Sequence, residues 1–200
     1  GEAIKKTRSI LENDPDVPIY EATFSKNGAL VRADIFLKED EGYRLVEVKS
    51  STSVKDTYVH DVAIQAWTIT EAGYPLSRIE LAHIDNTFVY QGDGDYAGLF
   101  HYEDMKELIQ PLIGSVPDWI ADFQKMLSGD MPEIAMGCQC HEPYDCEFLD
   151  YCTPDDCPEY PVSILPRVGK LAAELLEEGY EDVRDIPDGR LSNQNHERVR

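Results

Sequence analysis

Glu47 and Lys49 have the residue types and spacing for metal-assisted hydrolysis, because both belong to the short apolar segment Leu-Val-Glu-Val-Lys. Side chains two residues apart on a β-strand project from the same face, which places the acid beside the amine. Asp34 and Glu21 interrupt two further apolar segments upstream. A buried carboxylate needs a partner or a metal ion. Acids from three neighbouring strands can therefore converge on one point.

Such a set of acids fits a divalent cation. Mg²⁺ and Mn²⁺ prefer oxygen ligands and retain several waters, so the carboxylates of Asp34, Glu47 and Glu21 form a suitable metal site. The ion would lower the pKa of a bound water and offset charge on a scissile phosphate. Lys49 would orient that water or stabilise the negative charge that grows on the phosphate. The chemistry that these residues suit is phosphodiester hydrolysis.

A Glu-x-Lys pair on a strand is also typical of an exposed, salt-bridged face. Two features favour the catalytic interpretation here. Asp34 is embedded in the strand before the pair, and the helix after it carries Asp61 and Gln65 one turn apart on a common face.

The elements that position these side chains follow from hydrophobic periodicity. Residues 54–72 have helical spacing and lie between three extended segments before them and one, 78–84, after them. The helix is therefore predicted to be a crossover that returns the chain to the same sheet. The three preceding strands, separated by Asn-Gly and Glu-Gly turns, are predicted at 19–24, 30–37 and 43–48.

The rest of the chain completes a mixed α/β prediction. We expect a central mixed sheet of four or five strands flanked by helices within residues 1–130, including an edge strand at 88–90 and one or two helices within 102–127. A cysteine-rich segment, 131–160, is predicted to form an appendage ordered by a bound metal or cluster. A helical tail, 161–200, follows and includes an amphipathic helix over 165–179.

The order of the acidic and helical residues resembles the PD-(D/E)XK nuclease superfamily in its RecB-like branch. Within that branch the chain is similar to the iron-sulfur exonucleases of CRISPR adaptation and to a related uncharacterised bacterial family, over most of residues 1–157. The resemblance implies a restriction-endonuclease-like fold and metal-dependent hydrolysis of DNA, at single strands or ends. It implies these roles: Asp34 and Glu47 as metal ligands, Glu21 as a supporting acid, Lys49 as the catalytic lysine, and Gln65 as the helix residue that positions the lysine or the DNA.

Five cysteines lie between 138 and 157, and no others occur. An odd, closely spaced set of this kind, with no secretion signal in the sequence, favours metal ligands in a reducing compartment, so we expect the cytoplasm. Structural zinc sites generally use two C-x(2–4)-C pairs, which are not found here. Iron-sulfur clusters tolerate more varied spacing. The resemblance implies a 4Fe-4S cluster on Cys140, Cys146 and Cys152.

The fourth cluster ligand stays open between Cys138, Cys157 and a residue upstream of this chain, which begins at Gly1 and which we therefore expect to be a segment of a longer protein. Zn²⁺ is the alternative occupant, and His141 is a reserve ligand. We interpret two other histidines as structural: His60 as a helix-surface residue and His83 as a core or rim residue.

The net charge argues against a protein that binds DNA. A formal charge of −21 disfavours contact with phosphate backbones, which proteins usually bind through Lys and Arg. The alternative function is therefore a non-catalytic nucleic-acid- or protein-binding module on a nuclease scaffold, ordered by an iron-sulfur or zinc site. A third is a zinc-stabilised adaptor for a basic protein. No apolar run approaches the roughly 20 residues of a membrane helix, so we expect no membrane partner.

Overall fold

The computed structural model describes residues 1–140, 144–153 and 158–200, with the side chain of Cys138 left out. The chain forms two compact units, Gly1–Pro132 and Glu133–Arg200. The helices and strands of the first unit are α1 (Glu2–Asn13), β1 (Ile19–Lys26), β2 (Ala29–Glu39), β3 (Gly42–Lys49), α2 (Asp56–Glu71), β4 (Leu76–Ile84), β5 (Phe100–Asp104), α3 (Lys106–Ile113) and α4 (Val116–Ser128).

The first unit is a mixed α/β domain with a five-stranded sheet in the order β1-β2-β3-β4-β5. Strands β3 and β4 are parallel, and the other three neighbouring pairs are antiparallel. The parallel pair requires a crossover, which α2 provides. The predicted fold class, a mixed sheet of four or five strands with flanking helices, is confirmed.

Two turns show why the first three strands form a meander. Asn27 and Gly28 both have positive φ, 51° and 89°, as a two-residue type I′ hairpin requires. Gly42 has φ 146°, and a Cβ built there would lie 2.6 Å from the carbonyl oxygen of Pro75. Only glycine allows this approach of two backbones.

The edge strand lies elsewhere than the sequence predicted. Residues 88–90 are not a strand. The edge strand is β5, which begins at Phe100 and includes residues 102–104, the start of the range predicted as helical. The apolar trio at 88–90 is followed by a glycine- and aspartate-rich loop, so it has no partner strand. Polar His101 and Glu103 concealed the alternation of β5.

One face of the sheet packs against α2. Val62, Ala63, Ala66 and Ile69 of the helix are buried in the same core cluster as Leu45, Ile79 and Leu81 of the sheet. Since odd-numbered residues of β3 and β4 point toward this core, Glu47 and Lys49 project from the same face as Leu45.

The second unit has its own small core, which includes Leu165, Leu175 and Ile186. The helix predicted over 165–179 begins only at residue 170, because Arg167 and Gly169 have positive φ values of 54° and 47°. The elements of this unit are short 3₁₀ turns at Cys138–Cys140, Val162–Ile164 and Val183–Asp185, with α5 (Leu149–Cys152), α6 (Lys170–Glu177) and α7 (Gln194–Val199). Across the described residues of both units, none of the helices has the length and apolarity needed to cross a bilayer.

Candidate active site

Lys49 is held between two carboxylates at the end of β3. Its Nζ donates to Glu47 Oε1 at 2.6 Å and to Asp61 Oδ2 at 2.8 Å. Glu47 reaches the lysine from the same strand face, and Asp61 reaches it from the second turn of α2. Glu47 is 5% exposed, whereas the Asp61 side chain is 42% exposed, so the group opens toward solvent on the Asp61 side.

Gln65 joins the same two acids from the next turn of α2. Its Nε2 donates to Glu47 Oε2 at 2.8 Å and to Asp61 Oδ1 at 3.2 Å. Gln65 Oε1 is buried and has no hydrogen-bond partner among the described residues. An unpaired buried acceptor is costly, and this one belongs to the side chain whose amide nitrogen donates to Glu47.

Asp34 lies at the same end of the sheet. The paired register of β2 and β3 ends at Ile35 and Val46, and one further step would set Asp34 opposite Glu47. Instead, the backbone N–H of Val48 donates to Asp34 Oδ2 at 2.7 Å. This bond orients the carboxylate and uses one of the several lone pairs that its two oxygens offer.

The electrostatics of Glu47 reflect its surroundings. Burial raises the pKa of Glu47, and hydrogen bonds from Lys49 and Gln65 only partly offset this effect. The nearby charges of Asp34 and Asp61 raise the pKa further. Two neighbouring carboxylates thus disfavour the charged form of Glu47 at the end of β3, and a nearby cation would favour it.

Lys49 behaves in the opposite way. Burial tends to lower the pKa of Lys49, but its hydrogen bonds to Asp61 and Glu47 outweigh burial and raise that pKa above the ordinary value. The side chain therefore stays an ammonium at neutral pH. It can donate hydrogen bonds and supply positive charge, and it does not act as a base.

Glu21 is apart from this group. It has φ 58° within β1, its side chain is 60% exposed, and its carboxylate lies 3.4 Å from Arg32 Nη1. The structure brings together Asp34, Glu47, Lys49 and Gln65, and pairs Glu21 with Arg32. Among the described residues, the carboxylate oxygens of Asp34, Glu47 and Glu21 do not all lie within 4.8 Å of one another.

Two residues of this group were given no role in the sequence analysis. Asp61 was used there only as support for the catalytic interpretation, through its i, i+4 spacing from Gln65, and that spacing was the signal for a shared contact. Tyr58, also on α2, has its ring centroid 5.3 Å from Lys49 Nζ and 5.6 Å from Lys55 Nζ. A hydrogen bond with Ser51 is the main cause that lowers the pKa of Tyr58. No sequence pattern pointed to this tyrosine.

The predicted cluster ligands are partly described. Cys140 and Cys146 are half-buried free thiols and Cys152 is an exposed one. The backbone N–H of Cys146 donates to the carbonyl oxygen of Cys140 at 2.8 Å. Within the described ranges, the sulfur atoms of these three cysteines do not all lie within 4.8 Å of one another. The Cys138 side chain, His141 and Cys157 lie outside the described residues.

Comparisons with known proteins leave the function open. Protein-family models give no match to this chain, and no curated protein matches it. Among solved structures, the crystal structure of SSO0001 is similar with 15% sequence identity and a TM-score of 0.38, over 78% of this chain and 68% of that one.

Proposed function

We propose that this chain is a divalent-metal-dependent nuclease that hydrolyses DNA phosphodiester bonds. The observation that carries the proposal is the contact of Lys49 with Glu47 at 2.6 Å, with Gln65 donating to the same carboxylate and Asp34 charged nearby. An exposed salt bridge would not need a 5% exposed acid with a raised pKa. Such clustering of perturbed groups is characteristic of catalytic sites.

The donor set fits Mg²⁺ or Mn²⁺. These ions are commonly held by one or two carboxylates, with waters and substrate phosphate completing their coordination. Asp34 and Glu47 would supply the carboxylates in this proposal. The bound ion would lower the pKa of a water molecule and neutralise charge on the phosphate.

The chain's own residues have separate tasks. Gln65 fixes the orientation of Glu47 through its 2.8 Å hydrogen bond. Asp61 holds Lys49 from the solvent side. Lys49, which remains charged, supplies positive charge and hydrogen bonds where negative charge grows on the phosphate. Glu21 has no assigned step, since its carboxylate pairs with Arg32.

We propose single strands or DNA ends as the substrate. Tyr58 lies near both Lys49 and Lys55, and an aromatic ring with cations close to it can stack on an unpaired base while the cations contact the backbone. The cysteines of the second unit would hold a 4Fe-4S cluster, with Zn²⁺ as the alternative occupant.

A cleavage assay tests the proposal. Labelled single-stranded DNA is incubated with the full chain and Mn²⁺, comparing wild type with Lys49→Ala. Loss of a group that stabilises charge in the transition state typically slows a reaction by about 100- to 1,000-fold. The matched control is Lys5→Ala, which removes an exposed lysine of α1 outside this group of side chains and should keep most activity.

Absence of cleavage by wild type, or equal cleavage by wild type and Lys49→Ala, would overturn the enzymatic proposal. The charge of −21 would then favour the non-catalytic binding module.

A further inference from the structure

A second group of ligand atoms lies on the α2-facing side of the sheet, one strand away from Lys49. His83 pairs with Lys49 across β3 and β4, and with His101 across β4 and β5. Glu103 follows His101 by two residues, so both project from the same face of β5. Among the described residues, His83, His101 and Glu103 are the one group of three His, Cys, Asp or Glu whose ligand atoms all lie within 4.8 Å of one another.

The spacing of these atoms matches a small tetrahedral ion. Glu103 Oε1 lies 3.3 Å from His101 Nε2 and 3.9 Å from His83 Nε2. Ligands at roughly 2.0–2.2 Å from a tetrahedral zinc ion are about 3.3–3.6 Å apart. The shorter distance lies within that range, and the longer one slightly exceeds it.

His83 is already oriented as a ligand. Its Nδ1 is 3.2 Å from the carbonyl oxygen of Ile84, and because a carbonyl can only accept, Nδ1 carries the proton. The lone pair is then on Nε2, which faces Glu103. A hydrogen bond from the second ring nitrogen to a carbonyl is the usual support of a metal-binding histidine. His83 is 8% exposed, so this orientation is fixed by packing.

We propose that His83, His101 and Glu103 bind a divalent transition metal ion of the zinc class. Two imidazoles and one carboxylate suit Zn²⁺ or Co²⁺, whereas Mg²⁺ prefers oxygen ligands alone. The side chains of His101 and Glu103 are 56% and 46% exposed. The ion is therefore reachable from solvent and keeps at least one position for water or an anion.

The neighbouring charges permit a cation here. Lys49 is in register with His83, and an ammonium beside the metal would repel it. However, Lys49 is paired with both Glu47 and Asp61, so its charge is largely neutralised. The proposed site is separate from Asp34 and Glu47 and does not depend on the nuclease proposal.

Cobalt spectroscopy tests this site directly. The full chain is titrated with Co²⁺ in excess Mg²⁺, which occupies general carboxylate sites, and the visible ligand-field bands are recorded. His101→Ala and Glu103→Gln each remove one ligand and leave every cysteine in place. Loss of even an outer partner of a metal ligand typically weakens metal binding by about 10- to 100-fold. The affinity of each variant for Co²⁺ should therefore fall by more than about 100-fold.

His60→Ala is the matched control. His60 is an exposed histidine on α2 whose Nδ1 is 2.9 Å from the Asp56 carbonyl oxygen, and its removal should leave the bands unchanged. A thermal melt gives a second readout, because bound Zn²⁺ should raise the melting temperature of wild type more than that of His101→Ala. Equal Co²⁺ spectra and affinities for wild type, His101→Ala and Glu103→Gln would overturn the site.

Discussion

Lys49 Nζ lies 2.6 Å from Glu47 Oε1, two residues earlier on the same strand. Strand alternation places both side chains on the face that α2 covers, and α2 adds Asp61 at 2.8 Å. The crossover helix therefore does more than connect β3 to β4. It supplies the second carboxylate that fixes the direction of the ammonium.

Asp61→Asn should slow Mn²⁺-dependent DNA cleavage without abolishing it. The amide is nearly isosteric but no longer offers a full negative charge to Lys49, which would move toward Glu47. Misplacement of a catalytic group by about 1 Å can reduce a rate by roughly 100-fold, and a loss of about 10- to 100-fold is expected. Single-turnover rates measure it, with Asp56→Asn, an exposed acid on the same helix, as the control. An unchanged rate for Asp61→Asn would show that Lys49 does not need this partner.

Glu47→Gln should abolish cleavage while leaving the metal-free protein equally or more stable at neutral pH. The raised pKa of Glu47 means that the folded state holds a proton there more tightly than the unfolded state. The stability that this bound proton contributes is fully present below the ordinary pKa of 4.5. It is lost as the pH rises through the pKa that Glu47 has in the folded protein. Urea unfolding at several pH values should show the wild type losing stability relative to Glu47→Gln as pH increases above about 4.5. A difference that does not change with pH would contradict this account.

Asp182 should make the second unit sensitive to acid. Its hydrogen bonds with Arg184, and with the backbone of Tyr160, outweigh burial and hold the pKa of Asp182 well below its usual range. A carboxylate with a lowered pKa contributes stability above its unfolded value, and this stability is lost as pH falls through the folded value. Hydrogen exchange of amides near Ile186 should therefore increase below about pH 4 in wild type. Asp182→Asn should show fast exchange already at pH 7, whereas Asp185→Asn, an exposed neighbour, should match wild type.

The cysteine segment should contain iron and sulfide after anaerobic purification. Cys146→Ser should remove the broad visible absorbance of a cluster, because this residue is central to the proposed trio and is bonded through its backbone to Cys140. Cys138→Ser and Cys157→Ser distinguish the open fourth ligand, since only the true ligand should alter the spectrum. One equivalent of zinc and no iron in the purified protein would show that the cysteines hold Zn²⁺ and not an iron-sulfur cluster.

Much of the first unit was predictable because its signals are local. Alternating apolar residues around Leu45, glycine turns at 28 and 42, and the helical stripe from Val62 to Ile69 all agree with the sheet and crossover that form. The site followed from the same alternation, which put Glu47 beside Lys49.

What the sequence did not reveal depends on tertiary contacts. The positive φ of Glu21 and its contact with Arg32 have no sequence signal. His83 is buried, as a core or rim histidine should be, but its partner His101 lies on β5, where no strand was predicted. The placement of Tyr58 near Lys49 likewise depends on how α2 packs.

Mn²⁺ dependence of cleavage by Asp34→Asn tests the central claim most directly. If Asp34 and Glu47 share the ion, the substitution should raise the Mn²⁺ concentration needed for half-maximal cleavage and lower the maximal rate. Asp40→Asn, in the exposed turn between β2 and β3, should behave as wild type. A wild-type rate with a wild-type Mn²⁺ requirement for Asp34→Asn would contradict a shared metal site and, with it, the proposed nuclease.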